Sequence, residues 1–332
     1  MTLTSSDIRT KDLNDLFGSY NVTQKDLDYY KSLVENGEEE KAIQLFIENY
    51  LQYYTDKYDS QMRNYLRQAV EGQMDKQNMD TLIKSIAVLT LWITSIMNEN
   101  FSLFVKDVIA PSIYAENGIN ALSVKRAILD ETLKRFQDAT TGALSNTQTD
   151  LLTQIRNIQK EIIIRNQQIA NSGLIGQQLQ DEIAKFKNEL RVKFPNIYDD
   201  IENGLKIRSR TLANGNFASY NLDYYSDMSV RTTILNVDRT SVEVAAKIDG
   251  DQAVEYYLRD IRTIKTTERE ICKHILAKKI NGKSLLALDS EMAQSLAIMT
   301  LDEARKQNAM GIFCRHSVRR LSKSFKEQIG IV

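Results

Sequence analysis

The chain contains two cysteines and two histidines in all, and they fall into two identical Cys-x-His pairs, Cys272 with His274 and Cys314 with His316. Residues i and i+2 share one side of a strand but stand about 200° apart on a helix, so such a pair suits a metal only if its backbone is extended. The first pair is followed by Asn281-Gly282 between two apolar-rich runs. Asn-Gly is the strongest short hairpin signal, because a type I′ turn needs positive φ at both central residues. This predicts that Cys272 and His274 sit side by side on a hairpin strand. Residues 311–318, around the second pair, read as another short strand. Two thiolates and two imidazoles converging there would form a closed tetrahedral set for structural zinc, with no open position for catalysis. Two other readings stand beside it. The cysteines are ordinary buried core next to hydrogen-bonded histidines, or they form a disulfide, which a reducing cytosol disfavours.

Little else in the chain is equipped for bond chemistry. There is no Gly-rich phosphate loop, nucleophile elbow or His-Glu-x-x-His helix. Acid–base catalysis would have to rest on carboxylates. Clusters such as Glu38-Glu39-Glu40 and Asp199-Asp200 read instead as solvated helix ends. The expectation is therefore a protein that is not an enzyme and has no small-molecule substrate. Arg315, Arg319, Arg320, Lys323 and Lys326 make the C-terminal segment basic. Such a strip contacts nucleic-acid phosphates, docks on an acidic protein surface, or is plain solvated charge. Arg231, on a helix otherwise rich in apolar and hydroxyl residues, reads as a structural arginine tying helix to sheet.

The elements that must position these residues follow from composition and period. A net charge of −1 argues against a dedicated nucleic-acid binder, and only 2 prolines in 332 residues argue for long uninterrupted helices. The opening Met-Thr-Leu-Thr-Ser-Ser has no basic segment before an apolar run, so no secretory signal is expected. Thr23 to Asp26 offers a cap ahead of Leu27, Tyr30 and Leu33 at helical spacing. Residues 82–97 are the most apolar window, near the length of a membrane span. They hold Lys84, two serines and two threonines, without flanking positive clusters, which favours a buried central helix over a membrane-inserted one. The helical pattern then runs on until Pro111 ends it. Two stripes, Leu151 to Ile169 and Leu179 to Leu190, broken at Gly173 and Gly176, predict an antiparallel helical hairpin.

Beyond Pro195 the pattern changes. Residues 204–216 look like a loop or small turn, 219–248 like one long helix, and 253–259 like a strand with β-branched and aromatic enrichment. The Asn-Gly hairpin, a helix over 290–306 and the strand with the second pair complete the chain. The fold class expected is α+β: a predominantly α-helical N-terminal part, then a small α+β domain with a short antiparallel sheet. In domain terms this is 1–120 helical, 121–200 a helical hairpin, and 201–332 α+β.

The order of these parts resembles the minor capsid and head morphogenesis proteins of tailed bacteriophages, the family typified by the F protein of phage Mu. The family's C-terminal domain opens on a helix with an Arg-Thr pair and a downstream Asn, matched by Arg231-Thr232 and Asn236. A Cys- or His-bearing segment leading to Gly-Lys is matched by Cys272, His274 and Gly282-Lys283, and a terminal Cys-Arg motif by Cys314-Arg315-His316. The family's Asp-x-Arg is represented only loosely, by Asp260 and Arg262, and its proline near the terminal motif is absent. The resemblance covers the C-terminal third. It implies a virion structural protein in the capsid interior or at the portal vertex, assembled in a bacterial host cytoplasm. Its partners would be portal or capsid proteins, and packaged DNA. The runner-up function is a helical pore-forming toxin component that inserts residues 82–97.

Overall fold

The structure is a computed structural model and describes residues 22–211, 217–258, 270–307, 309 and 316–331. The fold class is α+β: long helices over most of the chain and small antiparallel sheets toward its end. The described residues pack into two units that do not follow chain order. One draws chiefly on Leu45–Asn100 and Gln137–Ser226, the other on Thr23–Gln44, Phe101–Phe136 and Asp227–Val332.

In the first unit, α3 (Gln52–Glu71) and α4 (Lys76–Phe104) bring the tyrosine-rich and the most apolar stretches of the sequence together. Helical spacing puts Leu82, Ile86, Leu89, Trp92, Ile93, Ile96 and Met97 on one buried stripe. The Tyr54 ring meets Trp92 edge-on at 5.6 Å. Tyr58 shares a 3.3 Å hydrogen bond with Thr90, and burial pushes its phenol up to about 12. Tyr29 and Tyr53 stay largely exposed. By length and composition the continuous run Lys76–Glu116 is also apolar enough to cross a membrane, with 39% of its apolar window buried.

Pro111 does not end that run. A π-helical turn, Val105–Ile109, precedes α5 (Ala110–Glu116), and Pro111 lies in the first turn of α5. The π turn just before it changes the hydrogen-bond register there, and the helix continues past the missing N–H. The helical hairpin forms as expected from α6 (Leu122–Ser172) and α7 (Gly176–Lys193), fastened by Arg165–Glu182 and by Lys193–Glu161 at 2.7 Å.

After α8 (Pro195–Asn203), the stretch expected to be a loop is a hairpin, β1 (Lys206–Thr211) paired with β2 (Phe217–Asn221). Its charged residues masked the alternation, because beside the buried Ile207 the next buried residue is an arginine. Arg208 is buried and donates to Asp150 at 3.0 Å and Asp200 at 2.5 Å. Burial raises the Asp200 carboxyl despite Arg208 beside it. The following helix, α9, is accordingly Leu222–Ile248 rather than starting at residue 219.

The second unit begins with α1 (Gln24–Glu35), opened by a capping box in which Thr23 and Asp26 satisfy each other's backbone N–H. The helix α2 (Glu39–Phe46) follows. Its four-stranded sheet has the order β4-β5-β3-β6, all antiparallel, with β3 Ala253–Leu258, β4 Lys279–Ile280, β5 Lys283–Ala287 and β6 His316–Arg320. One face packs Val254, Tyr256, Leu286 and Val318 against Val242 and Ala246 of α9. Ala253, Leu285 and Ala287 meet Phe325 and Met292 on the other. Asn281 and Gly282 form the expected two-residue turn, at φ 45° and 84°.

Residues 290–306 are not one helix but two short ones, α11 (Ser290–Ser295) and α12 (Leu301–Lys306). A Schellman turn stops α11, with Ala297 at φ 49° and bonds from Ala297 N to Gln294 O and Ile298 N to Ala293 O. An alanine in that place carries none of the signal a glycine would. The freed segment docks on the sheet, where Ala287 N donates to Met299 O at 3.0 Å.

The buried stripe of α4 sets a test. Leu89 is fully buried, and an unpaired carboxylate there costs several kcal/mol, a large share of a domain's ~5–15 kcal/mol. Leu89→Asp is expected to abolish the cooperative thermal transition followed by circular dichroism. Retention of the wild-type melting temperature would show that this face is not core.

Candidate functional site

The residues singled out by sequence gather in the second unit around α9 and β6. On α9, Arg231 is buried and donates to Asp227 at 2.8 Å, to Gln44 at 2.9 Å and to Glu40. Burial alone would lower its pKa, but Asp227 and Glu40 hold the guanidinium above its ordinary value. Arg231 is a structural tie, but it joins α9 to α2 rather than to the sheet. Asn236 does not serve Arg231. Its Oδ1 accepts from Arg239 at 3.0 Å, one turn further along.

Arg239 makes the helix-to-sheet tie. Its side chain is among the largest fully buried ones, and Nη2 donates to the main-chain carbonyl of His316 at the start of β6. Beside it, Ser317 donates to Asp238 at 3.2 Å. Sequence reasoning missed Arg239, although a signal exists: Arg239-Thr240 repeats Arg231-Thr232 eight residues on. On a helix that offset turns the second arginine about 80° from the first, toward a different neighbour.

The first Cys-x-His pair is not on a strand. It lies on α10 (Glu270–Ala277), with Cys272 buried in the same cluster as Tyr256 and His274 exposed. The apolar residues Ile271, Cys272, Ile275 and Leu276 have helical rather than alternating spacing, and the Asn-Gly hairpin reaches back only to Lys279. Cys272 and His274 therefore point apart and do not face a common ligand. His316 does begin a strand. It is buried, with its ring stacked on Tyr256 at 4.9 Å and 11°. Cys314 and Arg315 lie outside the described residues, as do Asp260 and Arg262. Among the described residues no three His, Cys, Asp or Glu side chains converge in a way that would hold a metal.

The basic strip is divided and largely spoken for. Strand alternation puts Arg319 and Arg320 on opposite faces of the sheet, opposite Glu255 and Val254 respectively. Arg319 grips Glu255 with two bonds of 2.8 and 3.0 Å and lies over the Tyr257 ring at 4.8 Å. Lys283 reaches the same carboxylate at 2.7 Å. Burial works to raise the Glu255 pKa, but Arg319 and Lys283 outweigh it and hold it below the usual carboxylate range. Arg320 pairs with Asp249 at 2.6 Å and Asp251 at 3.0 Å. Lys326, on α13 (Lys323–Gln328), also reaches Asp251. Lys323 is exposed and has no ion-pair partner among the described residues.

Comparison of the chain with family models, with curated proteins and with solved structures yields no match. The chemistry of the site is fastening: buried or half-buried charges hold α9, β3, β6 and α13 to one another.

Two predictions follow from this geometry. Glu255 has a folded pKa below its unfolded one, so its contribution is present above the unfolded value, ~4.3, and is lost as pH falls through the folded value. At neutral pH, Glu255→Gln is expected to speed amide hydrogen exchange across residues 316–331, and the gap from wild type should close as pH drops below ~4. A gap that persists at low pH would mean the ion pairs do not hold the segment. Cys272, as a small buried apolar group, should tolerate Cys272→Val within about 1.5 kcal/mol in urea melts. A much larger loss, reproduced in the wild type by a chelator, would make it a metal ligand.

Proposed function

We propose that this chain is a virion structural protein of the bacteriophage minor-head class. It works by protein contact at or near the portal vertex, in head assembly or in genome packaging and delivery. One observation carries the reading. The two stretches that resemble that family, the Arg-Thr helix with its Asn and the terminal motif whose His316 opens β6, lie some eighty residues apart in sequence. They are bonded to each other through Asn236, Arg239 and the His316 carbonyl, and through Asp238 and Ser317. The motif-bearing helix and strand are joined by Asp238 and Arg239, next to the motif's Asn236, and such a joint supports a scaffold that offers surfaces to neighbours. Portal and capsid proteins are the partners this reading implies. DNA contact through the basic strip would require phosphates to displace Glu255 and Asp251 from Arg319, Arg320 and Lys326.

The competing reading, a pore-forming component, draws on the apolar run Lys76–Glu116. One pair of measurements separates them. Mass spectrometry of purified particles of the encoding phage should find the chain in the head fraction, and heads made without it should be defective in assembly or DNA content. The isolated protein should leave anionic lipid vesicles intact. Particles lacking the chain, or vesicles that leak at low protein-to-lipid ratio, would overturn the proposal.

A further inference from the structure

Asparagine followed by glycine readily loses its side-chain amide, because a main-chain nitrogen with no Cβ beside it can swing onto the amide carbon. The chain has such pairs at Asn36-Gly37, Asn117-Gly118, Asn203-Gly204, Asn214-Gly215 and Asn281-Gly282. Asn214-Gly215 lies outside the described residues. The reaction needs an amide able to turn toward the main chain and a glycine N–H not held elsewhere. It also needs surroundings that favour the nitrogen anion it passes through.

The described pairs differ on each count. Asn36 and Asn117 cap helix ends, where the nitrogens of Gly37 and Gly118 donate to Val34 O at 3.0 Å and Ala115 O at 3.2 Å. The Asn117 amide donates to Ile113 O at 2.9 Å, and the Asn203 amide to Asp199 at 2.7 Å. Carboxylates adjoin these pairs in the chain: Glu35 and Glu38, Glu116, and Glu202. Negative charge nearby disfavours a second anion.

Asn281-Gly282 is the exception. Both residues are exposed. Among the described residues neither the Asn281 amide nor the Gly282 N–H has a hydrogen-bond partner. The nearest charges along the chain are cations: Lys278 and Lys279 on one side, and Lys283, shared with Glu255, on the other. Ring closure at Asn281 requires its backbone to leave the turn conformation, so the step waits on local opening. That opening is small, because β4 has only two residues and forms the edge of the sheet.

We propose that Asn281 is a site of spontaneous deamidation and the first of the described pairs to react, with water as the only co-reactant. The Gly282 nitrogen gives its proton to solvent base and attacks the side-chain carbonyl carbon of Asn281. The new C–N bond closes a succinimide, and the amide nitrogen takes up a proton and leaves as ammonia. Water then opens the ring at either carbonyl, giving aspartate or isoaspartate. Isoaspartate puts an extra carbon into the main chain of the turn that sets Ile280 opposite Lys283. Either product adds a negative charge to this edge of the sheet. The inference stands apart from the minor-head reading and is tested without particles.

The purified full chain is incubated in mildly alkaline, low-salt buffer, and its proteolytic peptides are followed over time by mass spectrometry with chromatographic separation of isoaspartate. Asn281 should convert at least about threefold faster than Asn36, Asn117 or Asn203, with isoaspartate among its products. In urea, where the hydrogen bonds at the other pairs are gone, that lead should narrow. Lys278→Glu with Lys279→Glu, both at exposed positions, should slow the folded chain at Asn281 by about threefold. The inference is overturned if Asn281 stays intact in the folded chain or if another described pair converts first. An unchanged lead in urea, or an unchanged rate after charge reversal, would overturn it as well.

Discussion

A guanidinium taken out of water is costly unless acceptors are placed for it, and Arg239 has them on two elements. It stands on α9 and reaches the His316 carbonyl on β6 and the Asn236 amide on its own helix. Leaving a buried charged donor without its acceptor costs about 1.5–3 kcal/mol, more than the bond contributes net over water. The value of such a tie is therefore that it specifies one arrangement. A helix that packs on the sheet through Val242 and Ala246 alone could slide along it. With Arg239 in place, a one-residue slip leaves an unmatched charge. Arg231 does the same between α9 and α2, and Arg208 between β1 and its acids.

That device explains which parts of the fold were legible in the sequence. Elements specified by local chemistry read correctly: the Thr23–Asp26 capping box, the Asn281-Gly282 turn, strand β3 and the apolar stripe of α4. Elements specified by a distant partner did not. β1 read as a loop or small turn because, beside the buried Ile207, its next buried residue is an arginine whose acids lie far away in sequence, at Asp150, or on the preceding helix, at Asp200. The stop after α11 was hidden because alanine takes the left-handed position. Pro111 was over-read because a π-helical turn upstream lets the chain restart a helix with the proline in its first turn.

The candidate site divides along the same line. Cys272 and His274 read as neighbours on a strand but lie on a helix, and a strand and a helix give i, i+2 pairs opposite meanings. Arg231 read as a tie from helix to sheet but joins α9 to α2, and the residue that reaches β6, Arg239, lies three positions beyond Asn236. The basic strip was visible as composition only. Sequence shows how many cations a segment carries, but their acids at positions 249, 251 and 255 become neighbours only when β6 pairs with β3.

Charge compensation also bears on where a partner would bind. An ion pair already made inside the fold contributes little to association, because a partner must replace contacts as good as those it displaces. Arg319, with two bonds to Glu255, and Arg320, with Asp249 and Asp251, are poor donors to an outside anion for that reason. Lys283 on β5 is paired with the same Glu255. Positive charge on both neighbours of β3 is thus consumed in holding the sheet and the C-terminal segment together, and the acids that consume it sit on β3 and on the turn before it.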